Sequence, residues 1–146
     1  MASKVFLLDV NLLLAAHLGI HPYHNLAVSW LRTADHFATC ATTEQGFLRL
    51  LSNPVINPGA SCADALVALG RVRRRSQHEY WVENSSLDEP FISTAPLRGY
   101  RQVTDFHLVN LAASRDGILA TYDTGIERAL PPADRRFVKT LKPSHC

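Results

Sequence analysis

The chain is poor in the features that usually mark an enzyme on sight. It has three cysteines among 146 residues, Cys40, Cys62 and Cys146, an odd number with no Cys-x-x-Cys spacing. This excludes a disulfide framework and a structural zinc site, and points to a reducing cytoplasm. The seven glycines form no Gly-x-Gly and no Gly-x-x-x-x-Gly-Lys-Ser/Thr, so no phosphate-cradling loop is present. No Gly-x-Ser-x-Gly elbow suggests a serine hydrolase. The longest apolar run, Val5 to Ala16, is broken by Asp9 and Asn11 and falls short of the roughly 20 residues a membrane span needs. Asp9 also spoils it as a secretory signal, so the mature protein is expected to begin at or near Met1. Charge of one sign is lacking as well. Fifteen Lys and Arg against thirteen Asp and Glu leave a formal charge of +2, too small to mark a nucleic-acid binder by bulk electrostatics. Internal repeats, low-complexity segments and linkers are absent.

What is present describes one ordinary globular domain, 47% hydrophobic and 19% charged, expected over residues 1–141 with a short tail at 142–146. Lys4 to Asp9 reads as a strand buried on both faces, with Asp9 at its carboxyl end. Asn11 to Gly19 reads as a helix, and His21-Pro22 starts another. His36 to Cys40 is a second strand. Thr42-x-x-Gln45 forms a capping box for a helix closed by Asn53-Pro54, and Ser61-x-x-Asp64 opens a longer helix into the basic run Arg71 to Arg75. Gln77 to Asn84 reads as helical and Pro90 to Ser93 as the third strand. Thr104 caps a helix ended by Asp116-Gly117, followed by strands at Ile118 to Thr121 and Phe137 to Thr140. Short apolar strands alternating with helices predict an α/β fold, a mostly parallel central sheet flanked by helices in an α/β/α sandwich.

Most of the acids, Asp35, Glu79, Glu83, Asp88, Glu89, Glu127 and Asp134 among them, read as surface charges. Four do not. Asp9 and Asp123 follow apolar strands, at the sheet edge where open α/β folds bind ligands. Glu44 and Asp105 each sit in the first turn of a helix, above an apolar stripe of Phe47, Leu48 and Leu51 or of Leu108, Val109 and Ala112. One acid at such a place is explained by the helix dipole. Four in matching places are explained more simply by one site for a hard divalent cation, since carboxylates and water are the ligands Mg²⁺ or Mn²⁺ prefers.

The segments that carry these acids, Val5-Phe-Leu-Leu-Asp9-Val-Asn11, Thr42-Thr-Glu44, Val103-Thr-Asp105-Phe-His-Leu-Val-Asn-Leu-Ala112 and Leu119-Ala-Thr121-Tyr-Asp123, resemble the four ordered motifs of PIN domains, and those of bacterial VapC toxins most of all. The resemblance runs from Val5 to about Thr140. It implies a single PIN-like domain, an acidic quartet of Asp9, Glu44, Asp105 and Asp123, and Asn11 and Thr121 as polar supports. It also implies metal-dependent cleavage of RNA, a VapB-type antitoxin that blocks the site, and a homodimer. Phe106 stands where the pattern has a small residue, and no further acid follows Asp123 closely. The alternative is a PIN-like module that binds RNA or protein without cutting. A phosphatase of the haloacid dehalogenase type would need a second Asp where Asn11 stands.

For hydrolysis of a phosphodiester, Asp9 and Asp105 are expected to ligate Mg²⁺ directly. Glu44 and Asp123 would act through water or a second metal. Arg71, Arg74 and Arg75 share a helix face and are candidates for RNA phosphates, although a solvated helix end explains them as well. Arg98, Arg101, Arg135 and Arg136 are further candidates. Trp30, Trp81, Tyr80 and Tyr100 read as core, as do Cys40 and Cys62. His17, His21 and His24 straddle Gly19 and Pro22, so their spacing does not make a transition-metal site.

Overall fold

The computed structural model describes residues 3–143. Residues 1–2 and 144–146, Cys146 among them, lie outside the described residues. The chain opens with β1 (Phe6–Leu8) and α1 (Val10–His17), joined by Asp9, whose side chain accepts from the Val10 N–H and so caps the helix. Then come α2 (His24–Thr33), β2 (Phe37–Cys40), α3 (Ala41–Leu51), α4 (Cys62–Arg73) and β3 (His78–Trp81). A 3-10 turn (Tyr100–Gln102) leads into α5 (Val103–Ser114), followed by β4 (Ile118–Thr121), α6 (Thr124–Ala129), a second 3-10 turn (Pro132–Phe137) and β5 (Val138–Thr140).

All five strands pair in parallel, in the order β3-β2-β1-β4-β5. β1 is central, with Leu7 opposite Ala38 of β2 and Leu119 of β4. The order grows outward from β1 in both directions, so the carboxyl ends of β1 and β4 flank a topological switch point, where such sheets open a crevice. Asp9 and Asp123 leave the sheet there. Two apolar clusters cover its faces. One gathers Leu12, Leu13, Phe47 and Leu69 from α1, α3 and α4, and the other Phe106, Val109, Leu111 and Leu130 around α5. The sandwich expected from the sequence is therefore present, and the bulky Phe106 is accommodated in its core.

Several local expectations are corrected. Gln77 to Asn84 is not helical: His78–Trp81 is edge strand β3, paired only with β2, in which Trp81 is buried while Glu79 and Tyr80 are exposed. Pro90 to Ser93 is not a strand. The N–H groups of Phe91 and Ser93 go to the side chains of Asn110 and Asp134 rather than to a ladder. The cap of α3 is Cys40, not Thr42, and Thr104 lies inside α5. Cys62, the first residue of α4, is exposed, unlike buried Cys40. Tyr80 and Tyr100 are exposed as well, whereas Trp81 is core. Gly117 is required by space: a Cβ there would meet the Val5 carbonyl at 2.8 Å and the Trp81 ring at 2.5 Å. Among the described residues no helix is long and apolar enough to cross a membrane.

Candidate active site

The site grows from the ends of two adjacent strands. The Asp9 N–H donates to Ala120 O at 2.9 Å, which ties the end of β1 to β4 and places the next residue, Thr121, against the carboxylate. Thr121 is fully buried, and its hydroxyl donates to Asp9 Oδ2 at 2.7 Å. The Thr121 hydroxyl oxygen in turn accepts from the Asp123 N–H at 3.0 Å, while Asp9 Oδ1 accepts from the Val10 N–H at 2.8 Å. Asp9 is thus held at both oxygens by groups whose own positions the sheet dictates. Burial pushes its carboxyl pKa up, the Thr121 and Val10 hydrogen bonds oppose that, and the Asp123 charge adds to the rise.

Asp105 comes from the first turn of α5, across the crevice. Its pKa is pushed up to about 6, first by burial and then by the charges of Asp9 and Asp123. Asp123 caps α6 through a 2.8 Å bond from the Gly125 N–H. Asp105 and Asp123 line a cleft of about 330 Å³ with Arg101, Gln102, Phe106, Gly125, Ile126 and Ala129. Three carboxylates from three elements therefore act on one another here.

Glu44 is not brought to them in this geometry. Its Oε2 accepts from the Thr39 hydroxyl at 2.7 Å and from Arg73 at 2.8 Å. With its proton given to Glu44, Thr39 accepts from His78 Nε2 at 2.7 Å. Asn11 lies in the first turn of α1 and, among the described residues, makes no hydrogen bond to Asp9. The arginine run also lies elsewhere. Arg75 lines a separate cavity with Arg32 and His17, and Arg71 and Arg75 both bear on His17. The histidines are bound singly: His17 Nδ1 to Leu13 O, His24 Nδ1 to Ala15 O, and His21 between the Tyr23 N–H and the Tyr122 hydroxyl.

Sequence reasoning undervalued two residues. Glu83, read as a surface charge, accepts from the Thr42 N–H at 2.6 Å, the Thr42 hydroxyl at 2.7 Å and His107 at 2.5 Å. It ties the loop after β3 to the start of α3 and to α5, and those bonds hold its carboxyl below the ordinary range despite partial burial. No periodic signal announces such a residue. Arg101 is the cation that lines the acidic cleft, and its spacing of four from Asp105 was the available clue.

The donor set fits a hard divalent cation. It offers only oxygens, and the mutual repulsion that raises the Asp105 pKa is what a cation would relieve. It is not a closed cage, since among the described residues no group of three or more Asp, Glu, His or Cys stands ready to hold a metal. Mg²⁺ tolerates this because it keeps several waters and needs few carboxylates.

The raised pKa has a consequence for stability. A carboxyl whose folded pKa lies near 6 instead of 3.8 favours the protonated form, so its charged form weakens the fold increasingly as pH rises from about 4 through 6. Asp105→Asn removes that charge. In metal-free buffer its melting temperature should exceed that of wild type by an amount that widens from pH 4.5 to pH 7.5. Thermal melts across the range check this, and a gap that shrinks with rising pH would contradict it.

No protein-family model matches the chain. Individual proteins do. Ribonuclease VapC29 of Mycobacterium tuberculosis is 39% identical over 121 residues, which span 82% of this chain and 86% of the relative. Ribonuclease VapC44 of the same organism is 37% identical over 139 residues, spanning 92% and 98%. Ribonuclease VapC38 is 40% identical over 127 residues, spanning 82% and 86%. Likeness of this extent reaches across the whole fold rather than one motif, and on that ground the chain belongs to the VapC family of PIN-domain ribonucleases.

Proposed function

We propose that this protein is the toxin of a VapB–VapC pair, an endoribonuclease that hydrolyses RNA phosphodiester bonds with Mg²⁺, or Mn²⁺ in its place, at the cleft of Asp9, Asp105 and Asp123. The observation that carries the reading is the juxtaposition of these three carboxylates, from the ends of β1 and β4 and the first turn of α5, where burial first and then the charges of Asp9 and Asp123 lift the Asp105 pKa to about 6. The relatives' names, ribonucleases of the VapC type, supply the substrate class. When bound, the cation supplies an activated water and neutralises charge on the phosphorus oxygens.

The remaining work falls to the chain. Asp9 and Asp105 offer the direct ligand oxygens, and Thr121 fixes the orientation of Asp9 through its 2.7 Å bond. Asp123, held at Oδ1 by the Gly125 N–H, keeps Oδ2 for a water that it orients or from which it takes a proton. Glu44 completes the quartet by holding water or a second cation once its carboxylate leaves Arg73. Arg101 offsets the repulsion between the acids and an incoming phosphate. A VapB-type antitoxin covers the cleft, and two copies of the chain pair as a homodimer.

The test is to titrate Mg²⁺ into the purified chain and follow a pool of single-stranded and structured RNA, then add chelator. Cleavage that appears with metal and stops with chelator is the expected result. Cleavage indifferent to metal, or none at all from a folded protein, would favour a PIN-like module that binds without cutting.

A further inference from the structure

Tyr100 has the most exposed aromatic ring among the described residues, 80% accessible, so it contributes little to the core. It does not sit on a loose loop. The Gln102 side chain accepts from the Arg98 N–H at 2.8 Å and the Gly99 N–H at 3.3 Å, and the Gln102 N–H donates to Gly99 O at 3.0 Å. This closes the 3-10 turn that runs straight into α5, one turn before Asp105. Arg101 Nε donates to the Tyr100 hydroxyl at 3.2 Å, and the guanidinium carbon lies 5.6 Å from the ring centre. The ring is therefore pinned at its edge and open over much of its surface. Arg101 lines the cleft beside Asp105 and Asp123, yet among the described residues it makes no ion pair, which leaves most of its donors free.

We propose that Tyr100 and Arg101 form a nucleotide clamp at the rim of the acidic cleft. Arg101 takes an RNA phosphate and Tyr100 stacks on a neighbouring unpaired base, so that the cleft takes single-stranded or looped RNA rather than duplex. The proposal deepens the ribonuclease reading and rests on it. A guanidinium suits a phosphate because its fork of donors is planar and always charged. An exposed ring suits any base that is free to leave its stack, and in a duplex the bases are not free. Neither contact reads base identity, so the clamp selects strand state rather than sequence.

The experiment measures binding of the full chain to a short labelled single-stranded RNA, to the same RNA annealed to its complement, and to a matching chain in which several sugars carry no base. All measurements use an Asp9→Asn background with Mg²⁺ so that the strand survives. A shortened strand in that background would indict the ribonuclease centre and not the clamp. Tyr100→Ala should weaken single-strand binding roughly 10- to 100-fold, change the abasic chain by less than about threefold, and abolish most of the preference over duplex. Tyr100→Phe, which keeps the ring, should restore single-strand binding to within about threefold. Equal losses on the intact and abasic chains, or no loss at all, would overturn the stacking assignment. So would a Tyr100→Ala protein that changes its oligomeric mass while binding RNA as before, since the ring would then serve an interface between copies. Circular dichroism confirms that each variant is folded.

Discussion

At the proposed metal site, Asp9→Asn is expected to lower the cleavage of RNA by about a thousandfold or more, with the domain still folded. The two parts of this expectation have separate physical grounds. Folding survives because asparagine caps a helix as well as aspartate does, so its side-chain oxygen can still accept the Val10 N–H that Asp9 accepts at 2.8 Å. The Thr121 hydroxyl, 2.7 Å from Oδ2, can rotate to accept from an amide instead of donating to a carboxylate. Removing a charge that is 6% exposed also relieves its desolvation. Activity is expected to fail because a neutral amide is a poor ligand for the hard divalent cation proposed here, and Asp9 is held in place by hydrogen bonds at both oxygens. A loss of about 4 kcal/mol of transition-state stabilisation corresponds to roughly a thousandfold in rate. Single-turnover cleavage alongside a thermal melt checks both parts. A folded variant that cuts within about tenfold of wild type would move the centre away from β1.

The largest stability effect is expected at a residue with no role in chemistry. Asn110 is fully buried in α5, where its Oδ1 accepts from the Phe91 N–H at 2.7 Å and its Nδ2 donates to Ser86 O at 3.2 Å. It thereby does for the segment between β3 and the 3-10 turn what a sheet ladder would otherwise do. Asn110→Ala leaves the Phe91 N–H and the Ser86 carbonyl without partners and opens a cavity at a fully buried position. Each lost partner costs about 1–3 kcal/mol, so a net loss of about 3 kcal/mol and a fall of about 10 °C in melting temperature are expected. Limited proteolysis should cut the variant first within residues 82–99. A melting temperature within about 2 °C of wild type would mean that water takes over both bonds without loss.

The contrast between Asn110 and the strand expected at Pro90 to Ser93 shows how far sequence patterns reach. Phe91 and Ile92 looked like strand because they are apolar and adjacent, and Ile92 is indeed buried. Their backbone is satisfied by side chains from α5 and from Asp134 instead, an arrangement with no period along the chain. The misreading of His78–Trp81 has the related cause that an edge strand is half solvated, and its mixed polarity imitates a helix. Residue type predicts core positions for Cys62 and Tyr80, yet they occupy the outer sides of α4 and β3.

Asp9, Asp105 and Asp123, which the structure brings near one another, stand out as candidates in the sequence because each obeys a local rule: Asp9 and Asp123 follow apolar strands, and Asp105 lies in the first turn of a helix above an apolar stripe. The parallel α/β architecture was legible for the same reason, since burial on both faces imposes continuous apolar strands between amphipathic helices. Chain pattern did not reveal which charges face one another. Glu44 meets Arg73 rather than the aspartates, Arg101 rather than the Arg71 to Arg75 run lines the acidic cleft, and Glu83 binds Thr42 and His107 across three elements. These pairings depend on how α3, α4 and α5 pack on the sheet. Coulombic and hydrogen-bond partners are selected within a few ångströms in space, and distances along the chain carry no record of that selection.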